Sequence, residues 1–124
     1  MPDGRDKLKS KMQGLVQVLE TTPFHQCVVF TNSRVLGQRV ARLLEQIGFP
    51  AAFVCGSMPQ DARLEAISRL RAFELRVLVS SDLTSRGIDV ERLNLVVNLE
   101  LPTSYDTYLH RVGRTGRFGR QVFQ

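Results

Sequence analysis

The chain has 124 residues, a length that suits one domain with a single hydrophobic core. Charged residues make up 23% of it and hydrophobic residues 43%, and no apolar run approaches the roughly 20 residues of a membrane-spanning helix, so a membrane protein is not expected. The formal net charge is +5, and 14 of the 17 basic residues are arginine, a bias that favours binding to phosphate or nucleic acid.

Two cysteines bear on the cellular compartment and on metal binding. Cys27 and Cys55 each lie inside an apolar run, so we expect both to be small core residues in a reducing, intracellular compartment, the nucleus or the cytoplasm. His25 lies beside Cys27, but this pair is too small a set for zinc, and we predict no metal site. Residues 1–6 are polar and unlike a secretory signal, and we expect them to form a flexible start.

The first half of the chain alternates between helical and extended patterns. Apolar residues at positions 8, 12, 15, 16 and 19 predict a helix that ends at Thr21-Thr22-Pro23. Cys27-Val28-Val29-Phe30 predicts a strand covered on both faces. Gly48 closes a second predicted helix, whose apolar stripe consists of Val35, Leu36, Val40, Leu43, Leu44 and Ile47.

The second half repeats the alternation. Residues 51–55 predict a strand, and Pro59 opens a third helix whose buried face is predicted to consist of Leu64, Ile67, Leu70 and Phe73. Val77-Leu78-Val79 and Leu95-Val96-Val97 predict two more buried strands. Thr103 and Asp106 have the spacing of a capping box that starts a short helix, and the chain ends a few residues into a further predicted strand, cut short near position 124.

This alternation predicts an α/β fold, a parallel sheet flanked by helices, in one domain over residues 1–124. In such sheets ligands bind at the carboxyl ends of the strands. The polar segments that follow the predicted strands are therefore the candidate functional segments, and they are Thr31-Asn32-Ser33, Gly56-Ser57-Met58-Pro59-Gln60 with Arg63, and Ser80 to Asp89.

An arginine–glycine block lies near the end of the chain. It consists of Arg111, Arg114, Arg117 and Arg120, interleaved with Gly113, Gly116 and Gly119. Arginine presents a rigid fork of donors to phosphate oxygens, and glycine allows the backbone to approach a ligand closely. The block therefore predicts a site for a crowded polyanion such as a nucleoside triphosphate.

In this order, these segments resemble the second RecA-like domain of the DEAD-box RNA helicases. The resemblance runs from about Leu15 to Arg120, and its most specific strings are Arg86-Gly87-Ile88-Asp89 and His110 to Arg117. His110 favours the DEAD-box group, because related helicase groups usually have glutamine there. Within the group, the string Ser81 to Asp89 followed by Leu-Val-Val-Asn-Leu is similar to the Gemin-type helicases of the SMN complex, which assembles spliceosomal snRNPs.

The resemblance implies an ATP site. Arg114 and Arg117 match the arginine fingers that reach the γ-phosphate, and pairing with Asp82 or Asp89 is the structural alternative. Gly87 and Asp89 match the segment that contacts the nucleotide, where the Asp89 carboxylate would accept hydrogen bonds from the ribose. A turn or cap role is the alternative for Asp89.

The resemblance also implies an RNA path. Arg63, Ser81 and Gly56 match residues that contact the sugar-phosphate backbone of single-stranded RNA, although the family usually has threonine at the position of Ser81. Weaker candidates for the same path are Asn32, Gln60 and Arg86. Two of these have local alternatives, since Gln60 with Ser57 could form a capping box and Asn32-Ser33 could cap the next helix. His110 and Arg111 match residues that couple the two domains to RNA, whereas Arg34, Arg39 and Arg42 are interpreted as a solvated helix face.

Catalysis in this family needs a second domain, which carries a phosphate-binding lysine loop and an Asp-Glu-Ala-Asp site. The last lysine of this chain is Lys11, and the chain contains no Asp-Glu dipeptide. We therefore expect ATP with Mg²⁺ to bind mainly through an N-terminal RecA-like domain of the same protein, and this chain to be inactive alone. The expected partners are that domain, single-stranded or duplex RNA, and RNP-assembly proteins.

Two other functions compete with an RNA helicase. One is a noncatalytic, helicase-like protein-interaction module of an RNP assembly complex, which would use the arginine–glycine block as its docking surface. The other is a DNA-directed helicase of the same superfamily, against which His110 argues. A direct comparison of RNA binding with DNA binding separates a DNA-directed helicase from an RNA helicase, because contacts to the 2′-hydroxyl distinguish the two nucleic acids.

Overall fold

The computed structural model describes residues 4–81, 93–99 and 120–123, with side chains for 8–81 and 93–99. In chain order its elements are α1 (Gly4–Thr21), β1 (Gln26–Thr31), α2 (Arg34–Gln46), β2 (Ala51–Val54), α3 (Gln60–Arg71), β3 (Val77–Ser81), β4 (Leu93–Asn98) and β5 (Arg120–Phe123). All five predicted strands and the first three predicted helices are confirmed. Helix α1 begins at Gly4, inside the segment 1–6 expected as a flexible start, and the helix predicted from Thr103 lies outside the described residues.

The strands form one parallel sheet in the order β2-β3-β1-β4-β5. Strand β1 is central, and its Val29 pairs with Val79 of β3 and with Val97 of β4. Consecutive parallel strands need long crossover connections, which α2 provides from β1 to β2, on the far side of β3, and α3 provides from β2 to its neighbour β3. The predicted parallel α/β fold is therefore confirmed.

Helices cover the sheet on both faces, and alternate residues of β1 point to opposite sides. Cys27 and Val29 belong to a core with residues of α1 and α2, whereas Val28 and Phe30 belong to a core with α3. This double coverage explains why the central strands are continuous apolar runs. Although α1 has 18 residues, no helix in the described ranges combines the length and apolar composition needed to cross a bilayer.

The cysteines lie in the interior, as predicted. Cys27 is fully buried and Cys55 is 3% exposed, and neither forms a disulfide. Burial raises the pKa of the Cys27 thiol far above its usual value, because an apolar environment disfavours the thiolate. Cys27 therefore behaves as a small hydrophobic residue of the core.

Helix α2 has the ends that the sequence predicts, but only part of the predicted buried stripe. Ser33 is its N-cap and accepts a hydrogen bond from the Leu36 N–H at 3.3 Å, while Gly48 follows the last turn with φ of 103°. Within the predicted stripe, Val35 is 67% exposed and Ile47 is 51% exposed. The stripe is wrong at these two positions, because the sheet contacts only the narrower face that carries Val40 and Leu44.

Helix α3 begins where predicted, at Pro59, but its cap and its buried face differ from the expectations. Pro59 is the N-cap and no side chain caps the helix, so the capping box of Ser57 and Gln60 is wrong. Ala66 and Leu70 form the fully buried face, while Leu64 is 58% exposed. With 3.6 residues per turn, Leu64 lies about 200° around the helix from Ala66, so the two cannot share a face.

The far end of α3 is fixed to the sheet by a buried glutamine. Gln26, 1% exposed at the start of β1, donates from Nε2 to the carbonyl oxygens of Leu70 at 2.5 Å and Leu75 at 2.8 Å. Both acceptors lie at or just beyond the end of α3, where carbonyl groups lack partners within the helix. One side chain therefore anchors the end of α3 against the central strand.

Candidate nucleic-acid interface

The carboxyl edge of the sheet brings together predicted site residues that are distant in sequence. Thr31 of β1 pairs with Ser81 of β3, so both strands reach this edge together. Asn32 follows β1 directly, and Gly56 lies two residues beyond the end of β2, the strand on the other side of β3. Asn32, Gly56 and Ser81 therefore line one edge, as the rule for parallel sheets predicts.

The two serines before this edge belong to β3, although the sequence suggested that they follow it. Pairing with Thr31 extends the strand through Ser81, which is only 3% exposed. The Ser80 hydroxyl donates to the Ser81 carbonyl oxygen at 2.9 Å. Ser81 is thus the buried last residue of a strand, whereas Asn32 is exposed in the segment after its strand.

The loop between β2 and α3 is held in place by α2. The Arg34 guanidinium donates from Nη1 to the Ser57 hydroxyl oxygen at 2.5 Å, which bridges the start of α2 to this loop. The interpretation of Arg34 as merely solvated is therefore wrong. Within the loop, the Cys55 N–H donates to the Met58 sulfur at 3.2 Å, and the Met58 N–H donates to the Cys55 carbonyl oxygen at 3.3 Å. These contacts fix the backbone on both sides of Gly56.

The loop also alters the chemistry of Cys55. Its sulfur lies 3.3 Å from the Ser57 hydroxyl oxygen. Burial by itself would raise the pKa of the Cys55 thiol, but hydrogen bonds from Ser57 and Met58 and the positive charge of Arg34 lower it below its usual value. This loop thus favours the thiolate form of Cys55, whereas the apolar surroundings of Cys27 disfavour its thiolate form.

The first turn of α3 presents polar groups suited to an anion. Gln60 is the first residue of the helix and is exposed. The N-cap Pro59 makes no side-chain hydrogen bond to this turn, and the Asp61 carboxylate accepts one from the Ala62 N–H at 3.0 Å. Arg63 is half-buried, and its Nε, which is buried, has no hydrogen-bond partner in the described part of the chain. The Arg63 guanidinium is therefore the group of this turn that suits a phosphate oxygen.

Sequence reasoning missed two polar residues of this edge. Arg34 was missed because its contact with Ser57 depends on how α2 packs across the sheet. Asn98 is fully buried at the end of β4, opposite Phe30 of β1. A polar residue that ends an apolar run was the available signal for Asn98.

The predicted ATP and coupling residues and the RNA candidate Arg86 lie outside the described residues. The ATP and coupling residues are Gly87, Asp89, His110, Arg111, Arg114 and Arg117. Their roles stay predictions. Across the part of the chain that is described, no three His, Cys, Asp or Glu side chains form a group that could hold a metal ion.

A comparison with known families shows which family the chain belongs to. The model of the helicase conserved C-terminal domain matches residues 10–119, nearly the whole chain. The chain belongs to this family. The most similar relatives and structures are DEAD-box RNA helicases, so this is a RecA-like helicase C-terminal domain of the DEAD-box group.

Individual relatives show how much of a helicase this domain represents. The chain is 50% identical over 111 residues to the probable ATP-dependent RNA helicase ddx20 of Dictyostelium discoideum, covering 90% of the chain but 13% of that relative. The crystal structure of the E. coli DEAD-box protein SrmB bound to RraA superposes with a TM-score of 0.86 at 37% identity, covering 94% of this helicase domain and 70% of the SrmB chain. S. cerevisiae Dbp5 bound to RNA and ADP BeF3 gives a TM-score of 0.77 at 27% identity, covering 94% of this domain and 31% of that chain.

Proposed function

We propose that this chain is the C-terminal half of an ATP-dependent RNA helicase, which supplies an RNA-binding edge and part of an ATP site. The observation that carries the proposal is the convergence of Asn32, Gly56 and Ser81 on one sheet edge, in a chain of the DEAD-box family. Such an edge suits an extended strand of nucleic acid. Activity of the whole protein requires an N-terminal RecA-like domain, so this half is inactive alone.

The RNA path follows the edge from Asn32 past Ser81 to the loop at Gly56 and the start of α3, where Gln60 and Arg63 lie. In this proposal the Arg63 guanidinium donates to a phosphate oxygen, and Gly56 allows the backbone to approach the strand. These are contacts to the sugar-phosphate backbone, so binding depends on salt and shows little base preference. Arg86 extends the same path.

The ATP site forms between the two domains. Arg114 and Arg117 act as arginine fingers toward the γ-phosphate, and Gly87 and Asp89 contact the nucleotide. Most contacts to ATP and Mg²⁺ belong to the N-terminal domain. The Dbp5 structure, whose title names both RNA and ADP BeF3, supports this arrangement because that relative holds both ligands.

His110 and Arg111 couple ATP binding to the RNA edge in this proposal. Closure of the two domains around ATP and RNA brings the arginine fingers to the γ-phosphate, and the closed state separates a short duplex by bending the bound strand. Hydrolysis then releases the RNA. We further propose a nuclear or cytoplasmic role in RNP assembly, which follows from the resemblance of the string Ser81 to Asp89 to the Gemin-type helicases.

Arg63 gives a direct test of the RNA path. We expect Arg63→Ala to weaken binding of a short single-stranded RNA by about tenfold and to flatten the dependence of affinity on salt, because one phosphate contact is lost. Fluorescence anisotropy at several salt concentrations measures both quantities. Arg71→Ala is the matched control, since it removes the same charge from the exposed last turn of α3, and we expect less than about a twofold change.

Amide chemical shifts locate the bound strand and separate the competing functions. RNA-preferring shifts around Gly56, Arg63 and Ser81 are the expected result. Shifts confined to residues 111–120 and equal for RNA and for DNA of the same sequence would instead indicate a basic surface and favour the noncatalytic interaction module. Equal weakening by Arg63→Ala and Arg71→Ala would also contradict the proposed path.

A further inference from the structure

A groove of about 730 Å³ lies between α1 and α2, and the proposed function makes no use of it. Helix α1 lines it with Leu8, Met12 and Val16, which are four residues apart and therefore lie along one line of the helix. Helix α2 contributes Leu43 and Ile47, also four residues apart. The groove is thus walled by two matching rows of apolar side chains.

These rows lie beside the faces that hold the helices on the sheet, and Leu8 and Met12 also pack against the core. Leu15 and Leu44 fill the core, whereas Met12, Val16 and Leu43 are only half-buried and Ile47 is 51% exposed. Apolar side chains gathered in one concave surface are typical of an interaction site. Unbranched Met12 can adapt its shape to different apolar side chains.

The charges around the groove indicate the chemistry of its occupant. Lys9 and Arg39 line it together with one acid, Glu20. Beyond the lining, the residues of these helices whose side chains are described include three more bases, Lys11, Arg34 and Arg42, and one more acid, Glu45. An apolar groove with a basic surround is complementary to an apolar segment flanked by acids.

We propose that this groove binds a short amphipathic helix of a partner protein, with apolar residues at helical spacing along one face and acidic residues beside them. The row from Leu8 to Glu20 extends about 18 Å along α1, which matches roughly three turns of a bound helix. The proposal goes beyond the proposed function and does not rest on it.

The position of the groove predicts that partner and RNA bind together. Helix α2 starts at the carboxyl edge of the sheet, and the groove uses the part from Arg39 to Ile47, which runs away from that edge. The bound helix therefore leaves Arg63 and Gly56 uncovered. Arg63→Ala should not change its affinity.

Designed peptides of about 16 residues test the proposal on the whole chain. The probe set carries leucines at helical spacing on one face and glutamates on its flanks, with several leucine registers. Matched peptides replace every glutamate with lysine, or every leucine with serine. Binding is measured by fluorescence anisotropy at about 0.15 M salt, where charges beyond roughly 8 Å are screened.

Two pairs of variants separate the groove from its surroundings. We expect Arg39→Glu to weaken binding of the acidic peptide by about tenfold, and Arg42→Glu, the same change on α2 outside the lining, by less than about threefold. Ile47→Ser should weaken it by a similar factor, whereas Val35→Ser, at the more exposed apolar residue of α2, should leave it unchanged. Amide shifts should centre on Met12, Val16 and Leu43.

Three outcomes would overturn the proposal. One is failure of every acidic peptide to bind below millimolar concentration, and another is equal binding of the acidic and lysine-substituted peptides. The third is a dimer of the chain, seen by sedimentation, that Ile47→Ser dissociates, because a second copy would then occupy the groove. Since Ile47 and Arg39 are exposed, their variants should fold, which thermal melting of each variant checks.

Discussion

Two residues with positive φ end α2 and α3 with the same hydrogen-bond pattern but different side chains. After α2, the Gly48 N–H donates to the Glu45 carbonyl oxygen at 3.2 Å, and the next N–H donates to Leu44 at 2.9 Å. After α3, Phe73 and the residue following it repeat this Schellman pattern, with distances of 3.1 Å and 2.9 Å. Gly48 has φ of 103° and Phe73 has φ of 61°, so α3 ends with a bulky residue in a conformation that favours glycine.

We predict that Phe73→Gly is more stable than Phe73→Ala by about 1 kcal/mol. Both variants remove the ring, which is 48% exposed, but only glycine relieves the clash between Cβ and the backbone at positive φ. Comparison of the two variants with each other, rather than with the parent chain, cancels the loss of the ring contacts. The free energy of unfolding in urea measures the difference.

Gly48→Ala is the control for this argument. A Cβ at Gly48 would meet nothing within 4 Å, so any loss of stability there comes from backbone conformation alone. We expect Gly48→Ala to cost about 1 kcal/mol. Equal stability of Phe73→Gly and Phe73→Ala, with Gly48→Ala destabilised, would show that the end of α3 relaxes when the ring is removed.

At the scale of elements, Gly37 sets how closely α2 approaches β2. A Cβ at this position would overlap the Phe53 ring, reaching Cδ1 at 2.8 Å, and would lie 3.0 Å from the Thr31 hydroxyl oxygen. We predict that Gly37→Ala destabilises the chain by about 1–3 kcal/mol, because overpacking outweighs the gain in helix propensity of about 1 kcal/mol. Urea unfolding measures the change.

Gln38→Ala is the control that separates the effect of helix propensity on stability from the effect of overpacking. Gln38 is exposed on the same helix and adjacent to Gly37, so its replacement changes helix propensity without filling space. It should change stability by less than about 0.5 kcal/mol. The double variant Gly37→Ala, Phe53→Leu should recover part of the stability lost in Gly37→Ala, because the smaller leucine side chain can leave room for the added methyl group.

The sequence predicts the strands of this fold better than the faces of its helices. Apolar runs such as Cys27-Val28-Val29-Phe30 have few alternatives to a buried strand, and all of the predicted strands are present. Leu64 and Val35 were assigned to buried faces from spacing alone, yet both are exposed, because which side of a helix meets the sheet depends on packing.

The candidate site also has features that the sequence predicts and features that depend on packing. Asn32, Gly56 and Ser81 could be located from the sequence, since the carboxyl ends of parallel strands share an edge. The contact of Arg34 with Ser57 and the anchor from Gln26 to Leu70 could not, because each joins residues brought together only by the crossovers of α2 and α3. Local sequence patterns cannot predict contacts between residues so far apart in the chain.

For the whole molecule, the central question is what one helicase domain can do by itself. The chain spans 13% of the length of its ddx20 relative, and its lysines end at Lys11, so it contains no Gly-Lys-Ser/Thr loop downstream. We predict that the pure chain hydrolyses no ATP above background, with or without RNA, because the phosphate-binding loop belongs to the other domain. Phosphate release in a coupled assay measures this directly, and RNA-stimulated turnover by the pure chain would contradict the proposal of half a site.

A complementary experiment measures ATP hydrolysis after the chain is joined to a DEAD-box N-terminal domain. We expect RNA-stimulated hydrolysis to appear, and Arg114→Lys to reduce it by about 10³-fold, because lysine keeps the charge but loses the planar fork that meets the transferring phosphoryl group. Arg42→Lys, on the exposed surface of α2, is the matched control and should leave turnover unchanged. If Arg114→Lys is as active as this control, Arg114 is not an arginine finger, and the noncatalytic interaction module becomes the better account of the arginine–glycine block.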